Sequence, residues 1–115
     1  MSFCYAQLQT HDHEGAKSFY ASLFDWKVTD SQPHYSEMST GGPIGAGVMP
    51  APNPEGPAFW LPYIAVANLE AKLGEAEKLG GKIMVPPMVV PGKGRYAVIT
   101  DPSGAAIGLW QVEKK

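Results

Sequence analysis

Little in this chain points to oxidative cross-linking, to phosphate backbones or to lipid. A single cysteine, Cys4, stands among 115 residues, so no disulfide closes within the chain and a reducing compartment is its expected home. Charge is sparse at 17 %, with 9 Lys and Arg against 11 Asp and Glu for a formal net charge of −2. These charges are scattered, and the Lys114-Lys115 pair is the longest basic run, which excludes the clustered positive footprint of a nucleic-acid binder. The most apolar stretch, Ala58 to Ala67, is interrupted by Pro62 and falls far short of the roughly 20 residues of a spanning helix. The N-terminus carries no charged-then-apolar signal pattern. The expectation is a cytoplasmic protein with neither nucleic acid nor membrane as partner.

What is there is a globular composition, 44 % hydrophobic, in a length that suits one domain over residues 1–115. Folding at this size buries roughly 60 to 70 % of the surface an unfolded chain exposes, enough for a core without metal or disulfide staples. Proline and glycine are plentiful, 11 and 13, and unevenly spread. Pro50, Pro52, Pro54 and Pro57 crowd into residues 50–57, a run that cannot pair inside a sheet and reads as an extended, polyproline-type connector. It separates a first module of about 1–49 from a second of about 58–115.

Each module repeats one order of elements. In the first, residues 3–10 alternate with the period of two of a strand. Asp12 is placed to cap a helix, and Ala16, Phe19, Tyr20 and Leu23 recur at helical spacing as one buried stripe. Residues 26–29, 34–38 and 44–49 follow as short strands between turn residues. In the second, residues 61–67 read as a strand and Asn68 as a cap. Leu69, Leu73, Ala76 and Leu79 form the buried stripe, and Gly80-Gly81 can take the left-handed helix end. Residues 83–90, 96–100 and 106–112 complete it as strands, the last two joined by the Asp101-Pro102-Ser103-Gly104 turn.

Three segments carry a family resemblance over essentially the whole chain. Residues 16–26, AKSFYASLFDW, resemble the "A-K-x-F-Y-x-x-L-F-G-W" helix end of the glyoxalase/bleomycin resistance/dioxygenase group, the vicinal oxygen chelate superfamily. Residues 94–105, GRYAVITDPSGA, resemble its "G-R-x-A-x-x-x-D-P-x-G" hairpin, and residues 41–49, GGPIGAGVM, are similar to a strand common in small members. The resemblance implies an α+β fold of paired βαβββ modules forming a curved sheet around a cavity, often as a homodimer. It also implies where metal-dependent members place their ligands: about Tyr5, Gly47 or Gly45, Tyr63 and Gly108, with Gln7 as the choice after a small slip. None of these is His, Asp or Glu. Glycine has no ligating side chain and neutral Tyr is a poor partner for hard divalent ions, so no metal and no cofactor is expected.

His11-Asp12-His13-Glu14 offers two imidazoles near one another, but at a strand-to-helix turn neighbouring side chains diverge, and this reads as surface. His34 reads as strand surface. Cys4 shares a parity with Ala6 and Leu8 and reads as a structural thiol. Parity on the other face groups Tyr5, Gln7 and Gln9 on the first strand, Gly45, Gly47 and Met49 on the fourth, Phe59, Leu61 and Tyr63 on the fifth, and Ala106, Gly108 and Trp110 on the last. With Arg95 at the rim as an anion anchor, the candidate ligand-binding residues are Tyr5, Gln7, Gln9, Met49, Tyr63, Arg95 and Trp110. The bland reading of the same aromatics is core or dimer interface. The reading adopted is a metal-free binder of a small aromatic or amphipathic molecule. The alternative is an enzyme of lyase, isomerase or dioxygenase type with Tyr5, Tyr63 and Arg95 as a non-standard active site.

Overall fold

Two polar caps start the two helices. In the computed structural model, which describes residues 1–113, the Asp12 carboxylate accepts the Gly15 N–H at 3.0 Å and the Asn68 side chain accepts the Ala71 N–H at 3.1 Å. Each satisfies a backbone donor that the first helical turn would leave orphaned. Helix α1 spans His13–Phe24 and α2 spans Leu69–Lys78. Around them lie β1 (Phe3–Thr10), β2 (Lys27–Gln32), β3 (Tyr35–Ser39) and β4 (Gly45–Pro50), then β5 (Phe59–Ala65), β6 (Lys82–Val90), β7 (Gly94–Thr100) and β8 (Ala106–Val112). The fold is α+β, two βαβββ modules in the order the sequence implies. No helix among the described residues is long and apolar enough to cross a membrane.

The backbone forms two compact units, Cys4–Leu61 and residues 1–3 with 62 onward. In the first, strands run in the order β2-β3-β4-β1, with β1 parallel to β4 and the other pairs antiparallel. The second has the order β5-β8-β7-β6, with β5 parallel to β8 and the rest antiparallel. The parallel pair in each is what the intervening helix permits, because only a crossover can return a strand in the same direction.

The cores lie on the helix side of each sheet. In the first unit Leu8, Met38, Ala46 and Val48 are buried, with Ala16, Tyr20, Trp26 and Val28 packed on them. In the second, Val66, Leu69, Leu73, Ala97 and Leu109 are buried. Leu69 and Leu73 are at most 4 % exposed, and burial of each contributes roughly 1.5–3 kcal/mol.

The expected helix stripes are narrower than the spacing suggests. Phe19 and Leu23 are each 57 % exposed and no residue of α1 is fully buried; only Ala16 and Tyr20, four apart, meet the sheet. Leu79 caps the end of α2 and is 76 % exposed. The stripe fails because these helices are short and each rests on its sheet through about one residue per turn.

Turns account for the remaining differences. Residues 50–57 are not a continuous extended run: the Asn53 side chain accepts the Glu55 N–H, and the Gly56 N–H donates to the Asn53 carbonyl. This is the turn that Asn-Pro-x-Gly favours. His34 lies in the β2–β3 turn at φ 65° and not on a strand. Asp25 ends α1 in the left-handed region at φ 58°. Gly80 ends α2 at φ 99°, as expected, with the Gly81 N–H donating to the Ala76 carbonyl. Pro86 and Pro87 sit in β6 where the register with β7 shifts between Val85 and Met88, which spares the ladder two missing donors. Cys4 is half-buried, and burial pushes its thiol up, away from the reactive thiolate.

Candidate functional site

On the sheet face turned away from α1, strand register brings together residues that the sequence separates. Tyr5 lies opposite Gly45, Gln7 opposite Gly47 and Gln9 opposite Met49. The Gln9 amide donates to the Gln7 carbonyl oxygen at 3.0 Å. That bond turns the Gln7 amide nitrogen toward the Tyr35 hydroxyl, a longer contact of 3.5 Å. Tyr35 and Tyr5 then share a hydrogen bond of 2.5 Å between their hydroxyls. The result is a chain of hydrogen-bonded side chains along this face.

Gly47 makes this convergence possible. A Cβ at that position would land on both the Tyr5 and the Tyr35 hydroxyl. A Cβ at Gly45 would touch only the side of the Tyr5 ring, at 3.8 Å. Tyr35 is the residue the sequence reading missed. The signal was present in the parity of β3, where Ser36 and Met38 are buried toward the helix and Tyr35 and Glu37 therefore face the other way. Glu37, opposite Gly47 in the register, is the carboxylate on that strand face.

The second module repeats the device. Tyr63 lies opposite Gly108, and a Cβ at Gly108 would fall on the Tyr63 ring. Tyr96, opposite Trp110 on β8, meets Tyr63 edge-on, with ring centroids 6.3 Å apart and planes at 77°. The register makes the correspondence: Ser36 opposite Val48 matches Ala97 opposite Leu109, so Tyr35 corresponds to Tyr96 and Gly47 to Gly108. Tyr63 then corresponds to Gln7 and not to Tyr5, since each stands five residues before its helix cap.

Arg95 is placed differently. Its strand parity is opposite to that of Tyr96, and it points toward the start of α2. There its guanidinium donates to both Glu70 carboxylate oxygens at 2.6 and 2.7 Å, and reaches Gln111 at 3.4 Å. The same Gln111 oxygen accepts the Leu69 N–H at 2.7 Å. The bidentate bonds from Arg95 hold the Glu70 carboxyl below its ordinary value. Arg95 thus ties the N-terminus of α2 to β7 and β8, whereas Tyr63, Tyr96 and Trp110 share the other face.

The two imidazoles of the His-x-His turn diverge, as expected. His11 pairs with the Gly56 carbonyl at 2.8 Å and His13 with the Ser36 hydroxyl at 2.9 Å. Ser36 donates onward to Asp30 at 2.6 Å, and Lys17 donates to the same oxygen at 2.9 Å. The Ser36 hydrogen bond, then that of Lys17, keeps Asp30 below its ordinary value. This network, buried only at Ser36, links α1 to β2 and β3.

Divalent metal does not suit the donors on either sheet face. Among the described residues no three His, Cys, Asp or Glu side chains converge. The two first-module phenols are bonded to each other, and both glycines lack a donor where Tyr groups take the space.

A family model described as "Glyoxalase/Bleomycin resistance protein/Dioxygenase superfamily" matches residues 3–109. The chain is 39 % identical over 118 residues to "Putative glyoxylase CFP32" of Mycobacterium tuberculosis, covering 96 % of this chain and 45 % of that protein. It is 34 % identical over 122 residues to "Anthracycline biosynthesis protein DauV" of a Streptomyces species, covering 90 % of this chain and 44 % of that one. The chain therefore spans less than half the length of these relatives. Among solved structures, a methylmalonyl-CoA epimerase from M. tuberculosis superposes with TM-score 0.76 at 11 % identity, over 97 % of this chain and 88 % of that one. A Mn(II)-bound glyoxalase from Novosphingobium aromaticivorans gives 0.70 at 16 % identity, over 95 % and 38 %. At these identities the likeness is one of fold.

Proposed function

The chain belongs to the glyoxalase/bleomycin resistance protein/dioxygenase superfamily, and from that premise we propose that it binds a small planar aromatic or amphipathic molecule without using a metal. One observation carries the reading: the positions on the first and last strands of each module hold Gln7 with Gly47 and Tyr63 with Gly108. Such couples supply ring faces, hydroxyls and amides but no anionic metal ligand. Flat aromatic surface is recognised by stacking, and a few fixed polar groups then set its orientation. In this protein the orienting groups are the Tyr5–Tyr35 pair with Gln7 and Gln9 in the first module. In the second module, taken by itself, Tyr96 and Trp110 present ring surface beside the nearly buried Tyr63, and within the first Met49 adds a polarisable contact beside Gln9.

The printed name of the Streptomyces relative, an anthracycline biosynthesis protein, supports a polycyclic aromatic ligand class. Titration with a hydroxyanthraquinone, followed by tryptophan fluorescence, tests the proposal. Saturable binding that Tyr35→Phe or Tyr63→Ala weakens supports it. Binding indifferent to both substitutions, or dependent on added Mn(II), overturns it.

A second reading is an enzyme, and the 2.5 Å Tyr5–Tyr35 pair with Glu37 on the same strand face favours it. A carboxylate and a phenol beside a bound carbonyl compound suit proton transfer. Turnover abolished by Glu37→Gln while binding survives distinguishes this reading from simple binding. Exposed Phe19, Leu23 and Phe24 support a homodimer, in a reducing cytoplasm that suits lone Cys4; sedimentation of the protein and of Phe24→Ser tests the assembly.

A further inference from the structure

The repeat exposes a place where the first module carries rings that the second lacks. On the helix side of the first module, the Tyr20 ring packs with Trp26 over Leu8, Met38, Ala46 and Val48. All four of those sheet residues are at most 5 % exposed. Tyr20 stands eight residues after the cap Asp12, and eight residues after the cap Asn68 stands Ala76. The sheet positions correspond through the register as well. Leu8 opposite Val48 matches Ile64 opposite Leu109, and Met38 opposite Ala46 matches Ile99 opposite Ile107.

Beneath Ala76 the second module has a cavity of about 320 Å³ instead of a ring. Its floor is Ile64, Ile99, Ile107 and Leu109, and Lys72 stands at its edge. Ile64, Ile99 and Ile107 remain partly exposed, although their counterparts in the first module are buried. The groove is open to solvent along the exposed Leu79, and its volume lies at the lower end of small-ligand pockets, about 300–1,000 Å³. The slot lies wholly within the second unit, on the sheet face opposite Tyr63.

We propose that this slot under Ala76 is a second binding site, for a small molecule presenting one aromatic ring, which occupies the place that Tyr20 fills in the first module. The occupant is read from the first module itself: the same backbone frame there closes around a phenol ring. That ring's hydroxyl accepts the Trp60 indole N–H at 3.2 Å at the edge of the sheet. In the second module the rim carries Lys72, 3.3 Å from Glu75, together with Glu75 itself, Thr100 and Asp101. A ring with one hydroxyl substituent therefore fits better than a plain hydrocarbon or an anionic ring. The site is separate from the one proposed above and does not depend on it.

Phenol and indole are the probes. Isoleucine-methyl NMR of the whole chain is expected to show saturable shifts at Ile64, Ile99 and Ile107 in the millimolar range. Ala76→Tyr is expected to abolish those shifts and to raise the melting temperature by several degrees, because the new ring fills the slot from within. Ala76→Leu, which adds less volume, is expected to weaken probe binding at least threefold and keeps the test open if the tyrosine variant does not fold. Absence of saturable shifts in the unmodified protein overturns the proposal, as do shifts that persist in both variants. So does a slot closed by self-association, seen as methyl shifts that vary with protein concentration and ignore the probes.

Discussion

The hydroxyls of Tyr5 and Tyr35, thirty residues apart in the chain, meet at 2.5 Å directly over the Cβ-less face of Gly47. The contact needs β1 parallel to β4 and β3 antiparallel to β4 at the same time. It also needs a residue without a side chain between them. Tyr35→Phe removes one partner of a partly buried pair and is expected to cost about 1 kcal/mol of stability, with a several-fold loss of hydroxyanthraquinone affinity. Denaturant titration and fluorescence read the two effects separately; unchanged affinity would remove Tyr35 from the site.

Gly47→Ala and Gly108→Ala both place a methyl where a tyrosine already is. The clash at Gly47 is with two hydroxyls at the ends of half-buried side chains. At Gly108 it is with the ring of Tyr63, which is 5 % exposed. Overpacking of this kind costs about 1–3 kcal/mol, so both variants are expected to be destabilised, Gly108→Ala more than Gly47→Ala. Equal unfolding midpoints, or the reverse order, would mean that Tyr63 yields more easily than its burial implies.

Arg95→Gln separates a structural clamp from a ligand anchor. The side chain holds Glu70 at the start of α2, so the variant is expected to melt earlier in low salt, with the difference shrinking as salt is added. Affinity for an anionic ring compound such as anthraquinone-2-sulfonate is expected to stay within twofold. A tenfold loss would restore Arg95 to the binding face.

Acid stability follows from three carboxyls whose values are lowered in the folded chain. Asp101 is lowered first by the Ser103 hydroxyl and then by the Ala105 N–H, Asp30 by Ser36 and Lys17, and Glu70 by Arg95. The unfolded chain therefore takes up these protons before the folded one does as pH falls. The stabilisation is complete above about pH 4.5 and is lost progressively below it. Melting temperature measured from pH 7 to pH 2 is expected to drop in that lower window, and Asp101→Ala is expected to flatten the drop. A variant with the same slope as the parent protein would show that Asp101 carries none of it.

Asp25 holds a left-handed conformation at the end of α1, where the resembled helix motif has glycine. Asp25→Gly relieves a non-glycine residue at φ 58° and is expected to stabilise by about 0.5–1 kcal/mol. A lower melting temperature would indicate that the Asp25 side chain contributes more than its backbone costs.

The sequence by itself determined the local elements, because the forces behind them act over a few residues. Asp12 and Asn68 cap helices, Gly80 ends one, and Asp101 through Gly104 close a hairpin, each by hydrogen bonds or backbone freedom within about four positions. The alternation of β1 likewise placed Tyr5, Gln7 and Gln9 on one face before any partner was known. Tertiary structure decided what those faces meet. Tyr35 joins the first-module array only because β4 lies between β3 and β1 and Gly47 leaves room. Arg95 leaves the ring face because its neighbour Tyr96 takes it and Glu70 stands across from the other. Phe19 and Leu23 have the spacing of a buried stripe yet remain exposed, since spacing sets which way a residue points and only the neighbouring layer sets whether anything covers it. The slot under Ala76 is of the same kind: the helical stripe turned Ala76 toward the sheet, and it borders a cavity only because Ile64, Ile99 and Ile107 lie beneath it on three different strands.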